Sequence, residues 1–374
     1  MKICIVTSSV RKGDGQARVN YEIVKEAIQR GHQVTLVVRK AVDEISQHKL
    51  VNCVYFPVDK VPTELMRGFV FAQKSDRWLK KHRHEFDIVV SCGAVTTGES
   101  DVNVVHFVHS AWLDSPFHTS RVNKNLYGLY QWLYTSLNAY WERVALKKAK
   151  ILVAVSGTIK KEIIGVGIPA DRIKVILNGV DVDEFIPIQT PDRSQFGLPE
   201  KADLALFVGD KTNRKNLDSV LKALVNVPDL HLAVVGNLEK STYPQMVKSL
   251  KLEERVHFLG YRSDIAKIMQ VVDFFVFPSR YEPFGMVVTE AMASGLPVII
   301  TKASGVADIV TPDCGVTLTD SEDILALTSA LKKLSSEKSL RREMGQSARA
   351  IAEQHPWNTK SCEYVDLFES VIGQ

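Results

Sequence analysis

The sequence predicts an α/β protein of two similar domains, each a parallel sheet covered by helices. Three observations carry that prediction. Short apolar runs rich in β-branched residues alternate with stretches of helical length and period. The alternation restarts after residue 200 in the same form. Between the two series lies a segment punctuated by Pro187, Pro191 and Pro199.

The first series opens with residues 2–7, a run that reads as a buried strand. The loop Arg11-Lys12-Gly13-Asp14-Gly15 leads into a helical stretch over 17–30 that stops at Gly31, a C-cap signal. Residues 33–38, 51–56, 87–91, 102–108 and 151–155 are further strand candidates, and a long helical stretch spans 126–150. In the second series, 204–208 is a strand, a Gly-Asp-Lys loop follows, and a helix starts near Leu217. Strands at 231–235, 256–259, 274–277 and 298–301 alternate with helices. Domains are therefore expected at 1–177 and 178–356, linked by the loop from Asn178 to Gln189. Residues 357–374, helical after Pro356, are expected to pack back on the first domain. Two facing domains of this kind would put the carboxyl ends of both sheets at one cleft, where ligands of open α/β sheets bind.

With 374 residues, 45% hydrophobic and 24% charged, the composition is that of a soluble globular protein. Five scattered cysteines, without a CxxC or Cys/His cluster, suggest neither a disulfide framework nor a zinc site, and fit a reducing compartment. The start does not read as a signal peptide, since Lys2 precedes only a short apolar run. No run reaches the ~18 residues of a membrane span. The expected location is cytoplasmic, or peripheral on the inner face of a membrane.

Charge is unevenly spread. Residues 1–177 carry 26 Lys and Arg against 16 Asp and Glu, a net of +10, whereas 178–374 carry 21 against 27, a net of −6. The first half therefore either faces something anionic or owes its excess to solvated faces. Two stretches sharpen the question. Residues 67–83 mix Phe69, Phe71 and Trp78 with six Lys and Arg, and residues 132–150 mix Tyr134, Tyr140 and Trp141 with Arg143, Lys147, Lys148 and Lys150. Such spacing suits an anionic membrane surface and equally an ordinary helix with a core face. Nucleic acid is a poor fit, because the second half is acidic and no recognition motif occurs.

The most informative segment runs from Phe277 to Val298. A strand ends at Phe277, Pro283 and Gly285 mark the start of a helix, and Gly295-Leu296-Pro297 ends it. The first turn, Phe284 to Val287, offers unbonded N–H groups and the positive end of the helix dipole, an anion site suited to a diphosphate. Gly285 would admit the phosphate closely. Glu290, further along the helix, would reach a ribose diol, and Glu282, before it, is placed for the other end of the ligand. Taken alone, both acids could simply be favourable helix-start charges.

Glu282-x7-Glu290, preceded by Pro278-Ser279 and followed by Ala291-Met292-Ala293-x-Gly295-x-Pro297-Val298, resembles the signature of glycosyltransferase family four. Asn178-Gly179-Val180-Asp181 with Phe185 and Pro187, Ser156, Gly260 and Val272-Asp273 match as well, so the resemblance covers nearly the whole chain. It implies the GT-B architecture: two facing Rossmann-like domains with a cleft between them. It further implies a retaining glycosyltransferase that moves a hexose-type sugar from a nucleotide-sugar to a saccharide or lipid-linked acceptor. A UDP-sugar is favoured and GDP-mannose is possible.

By the same resemblance, Glu282 contacts the donor sugar, Glu290 the ribose, and backbone N–H groups of Gly285, Met286 and Val287, beside Phe284, hold phosphate. The base lies near Tyr261 and Arg262. The loop Gly209 to Asn216 brings cations to the diphosphate, with Lys215 matching the family lysine. Where many members have Arg after the Gly, this chain has Asp210, so the second cation falls to Lys211 or Arg214. Gly15 approaches the donor phosphates, although Gly13-Asp14-Gly15 lacks the full GxGxxG pattern of a dehydrogenase. His109 sits near the sugar, and with Glu282 and Lys215 makes up the expected catalytic set; His106 reads as strand packing. No metal or other cofactor is expected, because Asp181-Val182-Asp183 is not in the context of a metal-binding DxD. The rival readings are a UDP-sugar 2-epimerase-like enzyme and a nucleotide-sugar-binding protein with little turnover.

Overall fold

Runs of β-branched and aromatic residues give strands buried on both faces, the condition under which parallel sheets form. In the computed structural model, which describes residues 1–13, 15–188, 192–238 and 240–373, they build two large, wholly parallel sheets, beside which Ser9–Val10 and Lys40–Ala41 form a two-residue parallel ladder. Asp14 of the first glycine loop, and Gln189 and Pro191 of the linker, fall outside the described residues.

The first sheet contains β1 (Lys2–Val6), β2 (Gln33–Val38), β3 (Val51–Tyr55), β4 (Ile88–Cys92), β5 (Val102–Val105), β6 (Ile151–Ala154) and β7 (Ile173–Val175). Their order is β3-β2-β1-β4-β5-β6-β7. Ile3 of β1 pairs with Val34 on one side and Ile88 on the other. Ile3, Cys4, Ile5 and Val6 are all buried. The second sheet contains β8 (Asp203–Val208), β9 (Leu230–Val235), β10 (Val256–Phe258), β11 (Phe274–Phe277), β12 (Val298–Thr301) and β13 (Gly315–Leu318), in the order β10-β9-β8-β11-β12-β13. The second sheet thus repeats the order of the first six strands of the first. In each, the order reverses between the first strand and the fourth, and that switch point is where α/β sheets bind ligands.

The chain forms two compact units, Met1–Gly179 with Trp357–Gln374, and Val180–Pro356. The boundary lies two residues beyond the expected 177/178. The Val180 N–H donates to the His355 carbonyl at 3.0 Å, so Val180 is stitched to the end of the second unit. Asn178 and Gly179 stay with the first. The final helix, Trp357–Ile372, lies on helix Gly15–Gln29, where Arg30 bonds Asp366 at 2.6 Å and the Arg18 guanidinium covers the Trp357 ring at 5.7 Å.

Several elements differ from the expectation. The strand predicted over 102–108 ends at Val105, because the chain turns into a short helix, His109–Asp114, anchored from outside the sheet. The short strands β7 and β13 carry too few residues to show a period, and escaped notice. Helix Leu126–Lys148 stops two residues early, and its first turn is capped by the Asn125 side chain accepting from the Gly128 N–H. Helix Glu64–His82 is capped likewise by Thr63. Ser156 caps helix Gly157–Gly165, so its side chain is spent on the backbone of Ile159.

Candidate active site

In the second unit, the switch point lies between the loops that follow β8 and β11. Glycine makes the approach possible. The Gly209 N–H donates to the Val235 carbonyl, and Gly236, at φ 142°, lies so near that a Cβ there would fall 1.8 Å from the Gly209 oxygen. The loop after β8 then tightens into a 3₁₀ turn, Asn213–Lys215, and ends at buried Asn216 in left-handed backbone, φ 65°. The Asn216 amide donates to the carbonyls of Pro278 (2.9 Å) and Ser321 (2.8 Å). The Ser279 hydroxyl and the Arg280 N–H both donate to the Arg214 carbonyl. The buried Arg280 guanidinium bonds Asp218, Glu322 and Asn213. These contacts hold the two loops in one register.

The result is a charge cluster. Lys215 Nζ lies 2.5 Å from Glu282 Oε2, and Arg214 Nη1 donates to the same oxygen at 3.2 Å and to the Tyr281 carbonyl at 3.0 Å. The Lys215 ammonium also sits 4.8 Å from the centre of the Phe277 ring. The backbone of Glu282 is pinned by Ala303 and Gly305. Burial alone would push the Glu282 carboxyl up; the Lys215 and Arg214 charges outweigh it and hold the group below its ordinary value. Asp210 also faces the two cations: burial pushes its carboxyl up, but the Thr212 hydrogen bonds and the Lys215 and Arg214 charges hold it below its ordinary value, so two carboxylates balance two cations there. Of the two candidates for the second cation, the structure brings Arg214 into the cluster, whereas Lys211 is exposed. Asp210 turns onto its own loop, accepting from the Thr212 N–H and hydroxyl.

Next to the cluster begins helix Met286–Ala293. Gly285 takes φ 103° at its N-cap, no side chain among the described residues caps the first turn, and the Val288 N–H donates to the Gly285 carbonyl at 2.9 Å, so the positive end of the helix carries no side-chain cap. Phe284 is buried, so only its backbone could meet a ligand. Glu290, one turn in, is half-buried. Tyr261 is exposed, and Arg262 turns onto Asp264 at 2.6 Å and over the Phe196 ring.

In the first unit, a cavity of about 440 Å³ opens at the carboxyl ends of β1 and β4, lined among others by Ser8, Arg39, Gly93, Trp112, Trp141 and His109. Gly15 starts helix Gly15–Gln29 on the surface, and its neighbour Gln16 lines the cavity. His109 is held by a residue that sequence reasoning missed. Glu142, 1% exposed, accepts the His109 backbone N–H through one oxygen and faces Nδ1 through the other, both at 2.9 Å. An ionised carboxylate there assigns the ring proton to Nδ1 and leaves Nε2 to the cavity. A signal existed, since Glu142 is the single acid between Asp114 and Glu162. His106 lies just past the end of β5 and lines the same cavity. Its Nε2 has no hydrogen-bond partner among the described residues, and burial pushes its pKa down to about 4.

Two family models match in tandem: "Glycosyltransferase Family 4" over residues 13–184 and "Glycosyl transferases group 1" over residues 188–351. The chain belongs to this family of glycosyltransferases. An uncharacterised glycosyltransferase of Methanocaldococcus jannaschii is 27% identical over 234 residues, 59% of each chain. The lipopolysaccharide glucosyltransferase WaaG of Escherichia coli is 28% identical over 194 residues, 49% of this chain and 52% of that protein. The chain thus spans about half to three-fifths of the length of these curated relatives. Among solved structures, WaaG superposes with a TM-score of 0.78 at 22% identity, covering 98% of this chain and 99% of that one. Sucrose-phosphate synthase from Thermosynechococcus elongatus superposes with 0.80 at 18%, covering 100% and 99%. Anabaena HepE, solved with UDP and glucose, superposes with 0.72 at 21%, covering 99% and 100%. The fold of the family member described here is accordingly GT-B.

Proposed function

We propose that this chain is a retaining hexosyltransferase that takes its sugar from a nucleotide-sugar, with UDP-sugars favoured over GDP-mannose, and delivers it to a saccharide or lipid-linked acceptor. The observation that carries the reading is the Lys215–Glu282–Arg214 cluster beside the uncapped N-terminus of helix Met286–Ala293. A diphosphate arriving there meets two cations and a helix dipole. Glu282, freed from part of its pairing, turns to the sugar hydroxyls. Glu290 takes the ribose, and Tyr261 and Arg262 flank the base. In the first unit, the cavity with His109 takes the acceptor.

The chemistry then needs no metal. Retention by double displacement would require a carboxylate nucleophile about 5 Å from a second carboxyl group, and Glu282 in this reading serves the sugar hydroxyls rather than the anomeric carbon. The acceptor hydroxyl instead attacks from the leaving-group side. The bond from the anomeric carbon to the diphosphate breaks as the new glycosidic bond forms, and the leaving phosphate oxygen takes the acceptor's proton. Lys215, Arg214 and the helix N-terminus stabilise the charge that develops on the diphosphate.

A thermal-shift screen of UDP- and GDP-sugars in excess chelator tests the donor side directly. The expected result is selective stabilisation by a UDP-sugar, with slow hydrolysis of that donor in the absence of acceptor. Donor binding with no hydrolysis or transfer would favour a binding protein, and activity that returns only with a divalent metal would overturn the metal-free reading.

A further inference from the structure

Helix Leu126–Lys148 has two faces of opposite character. One is buried and lines the cavity through Tyr134, Thr135, Asn138 and Glu142. The other is apolar yet open to solvent. Leu126, Leu129, Leu133 and Tyr140, which share one stripe by helical spacing, are 85%, 62%, 44% and 66% exposed, and Tyr127 and Trp132 are exposed on its flanks. Met66 and Phe69 of helix Glu64–His82 are also exposed, and Phe69 stacks on Trp141 with ring centres 5.5 Å apart, which brings them alongside. Single exposed apolar residues are normal, but a continuous patch of this kind marks a surface that something covers.

The charges around the patch say what. Residues 115–141 contain no Asp or Glu. Exposed Arg121 and Lys124 stand before the apolar stripe, and exposed Arg143 and Lys147 follow it on the same side of the helix. Leucines to bury, tyrosine and tryptophan at the border, and cations with no acid between them are the requirements of a helix that lies in an anionic lipid interface. A protein partner of matching surface would need a long acidic rim around an apolar centre; an anionic bilayer supplies both at once.

We propose that the outward face of helix Leu126–Lys148, with Met66 and Phe69 beside it, docks the first unit on an anionic lipid surface. The assignment deepens the acceptor reading above, on which its functional sense rests. The same helix that touches lipid with one face lines the cavity and holds His109 with the other, so a lipid-linked acceptor would meet the cavity at the bilayer surface.

The test is co-sedimentation of the full chain, without nucleotide, with vesicles of phosphatidylglycerol in phosphatidylcholine and with vesicles of phosphatidylcholine alone. Binding is expected to the anionic vesicles, to weaken at high salt and to be weaker by roughly 10-fold or more on the neutral ones. Leu129→Glu with Leu133→Glu, both at exposed positions that the core does not need, should lower anionic binding by roughly 10-fold or more. Arg121→Glu with Lys124→Glu should flatten the salt dependence. Vesicle binding that is absent, or unchanged in the Leu129/Leu133 variant, overturns the proposal. So does a dimer of the parent chain in sedimentation velocity that this variant converts to monomer without any lipid binding, which would give the face to a second copy. UDP-induced thermal stabilisation, measured on the parent and both variants, separates the two readings: it should be equal in all three, and its absence from all three would remove the donor reading while leaving the lipid result intact.

Discussion

The two switch points of this chain share a strand order and differ in almost everything else. After β8 and β11, the loops are short, locked by Asn216, Ser279 and Arg280, and dense in paired charge. After β1 and β4, there is an open cavity walled by tryptophans, amides and hydroxyls, with one His–Glu pair at its edge. The fold decides where a ligand goes in both units, and the loops decide which kind. A rigid array of fixed cations suits a diphosphate, whose shape and charge are the same in every donor. A roomy polar and aromatic cavity suits an acceptor, and can be altered without disturbing the sheet.

The contrast can be broken most sharply at Glu282. Glu282→Ala should cut turnover by roughly 100-fold through lost sugar positioning, yet UDP alone should bind as well or more tightly, because Lys215 and Arg214 no longer face a carboxylate. Steady-state rates together with calorimetry on UDP decide it, and near-normal turnover would place Glu282 outside the site. Lys215→Ala should act in the opposite sense on the nucleotide. Loss of one charge-assisted contact, about 1.5–3 kcal/mol, corresponds to roughly 10–100-fold weaker UDP binding; unchanged affinity would end its phosphate role.

In the other unit, Glu142→Ala should lower turnover by roughly 10-fold while leaving UDP affinity alone, since it removes the group that orients His109. Ring ¹⁵N shifts of His109 provide the distinguishing readout: the proton sits on Nδ1 in the parent and redistributes in the variant. A parent ring with its proton on Nε2 would refute the orientation argued here.

The smallest effect expected is on stability. His106 titrates near 4 in the folded chain because burial disfavours its charged form, against an ordinary value of 6.5. Below pH 6.5 the unfolded chain binds a proton that the folded chain does not, so stability falls as the pH drops from about 6.5 to 4, by at most ~3 kcal/mol. Glu282 works lower down. Its depressed carboxyl contributes stability above the ordinary value of 4.5, and that contribution is lost only as the pH falls through the lowered one. Denaturant melts between pH 7 and 4 should therefore flatten in His106→Gln and keep their slope in Glu282→Gln.

Much of this molecule was legible without coordinates. The alternation of apolar runs and helical stretches, the restart after residue 200 and the sequence from Phe277 to Val298 are local patterns, and local patterns report which backbone state a segment prefers and which face it buries. What they do not report is which distant residues meet. Lys215 and Glu282 are 67 positions apart, and Arg280 and Glu322 are 42 apart. The first pair exists because parallel pairing of β8 with β11 brings two loops to one edge, and the second adds the turn that follows β13; within the loop after β8, the 3₁₀ turn Asn213–Lys215 carries Arg214 to Glu282. Glu142 stood out as a lone acid in its stretch, but nothing in its own helix names His109, 33 positions away, as its partner.

Helix Leu126–Lys148 shows the limit most plainly. Its sequence is apolar on nearly every side, so period alone could mark a core helix or a surface one. Only its packing against helices His109–Asp114 and Thr119–Val122, with Thr135 bonded to His118 and Glu142 to His109, decided that Leu126, Leu129 and Tyr140 were left in water for a partner. By itself the sequence determined the two-domain α/β fold and the donor motif, because both are written in short-range order. The charge pairing, the orientation of His109 and the uncovered apolar face were decided by tertiary structure, because each depends on which surfaces the fold brings together.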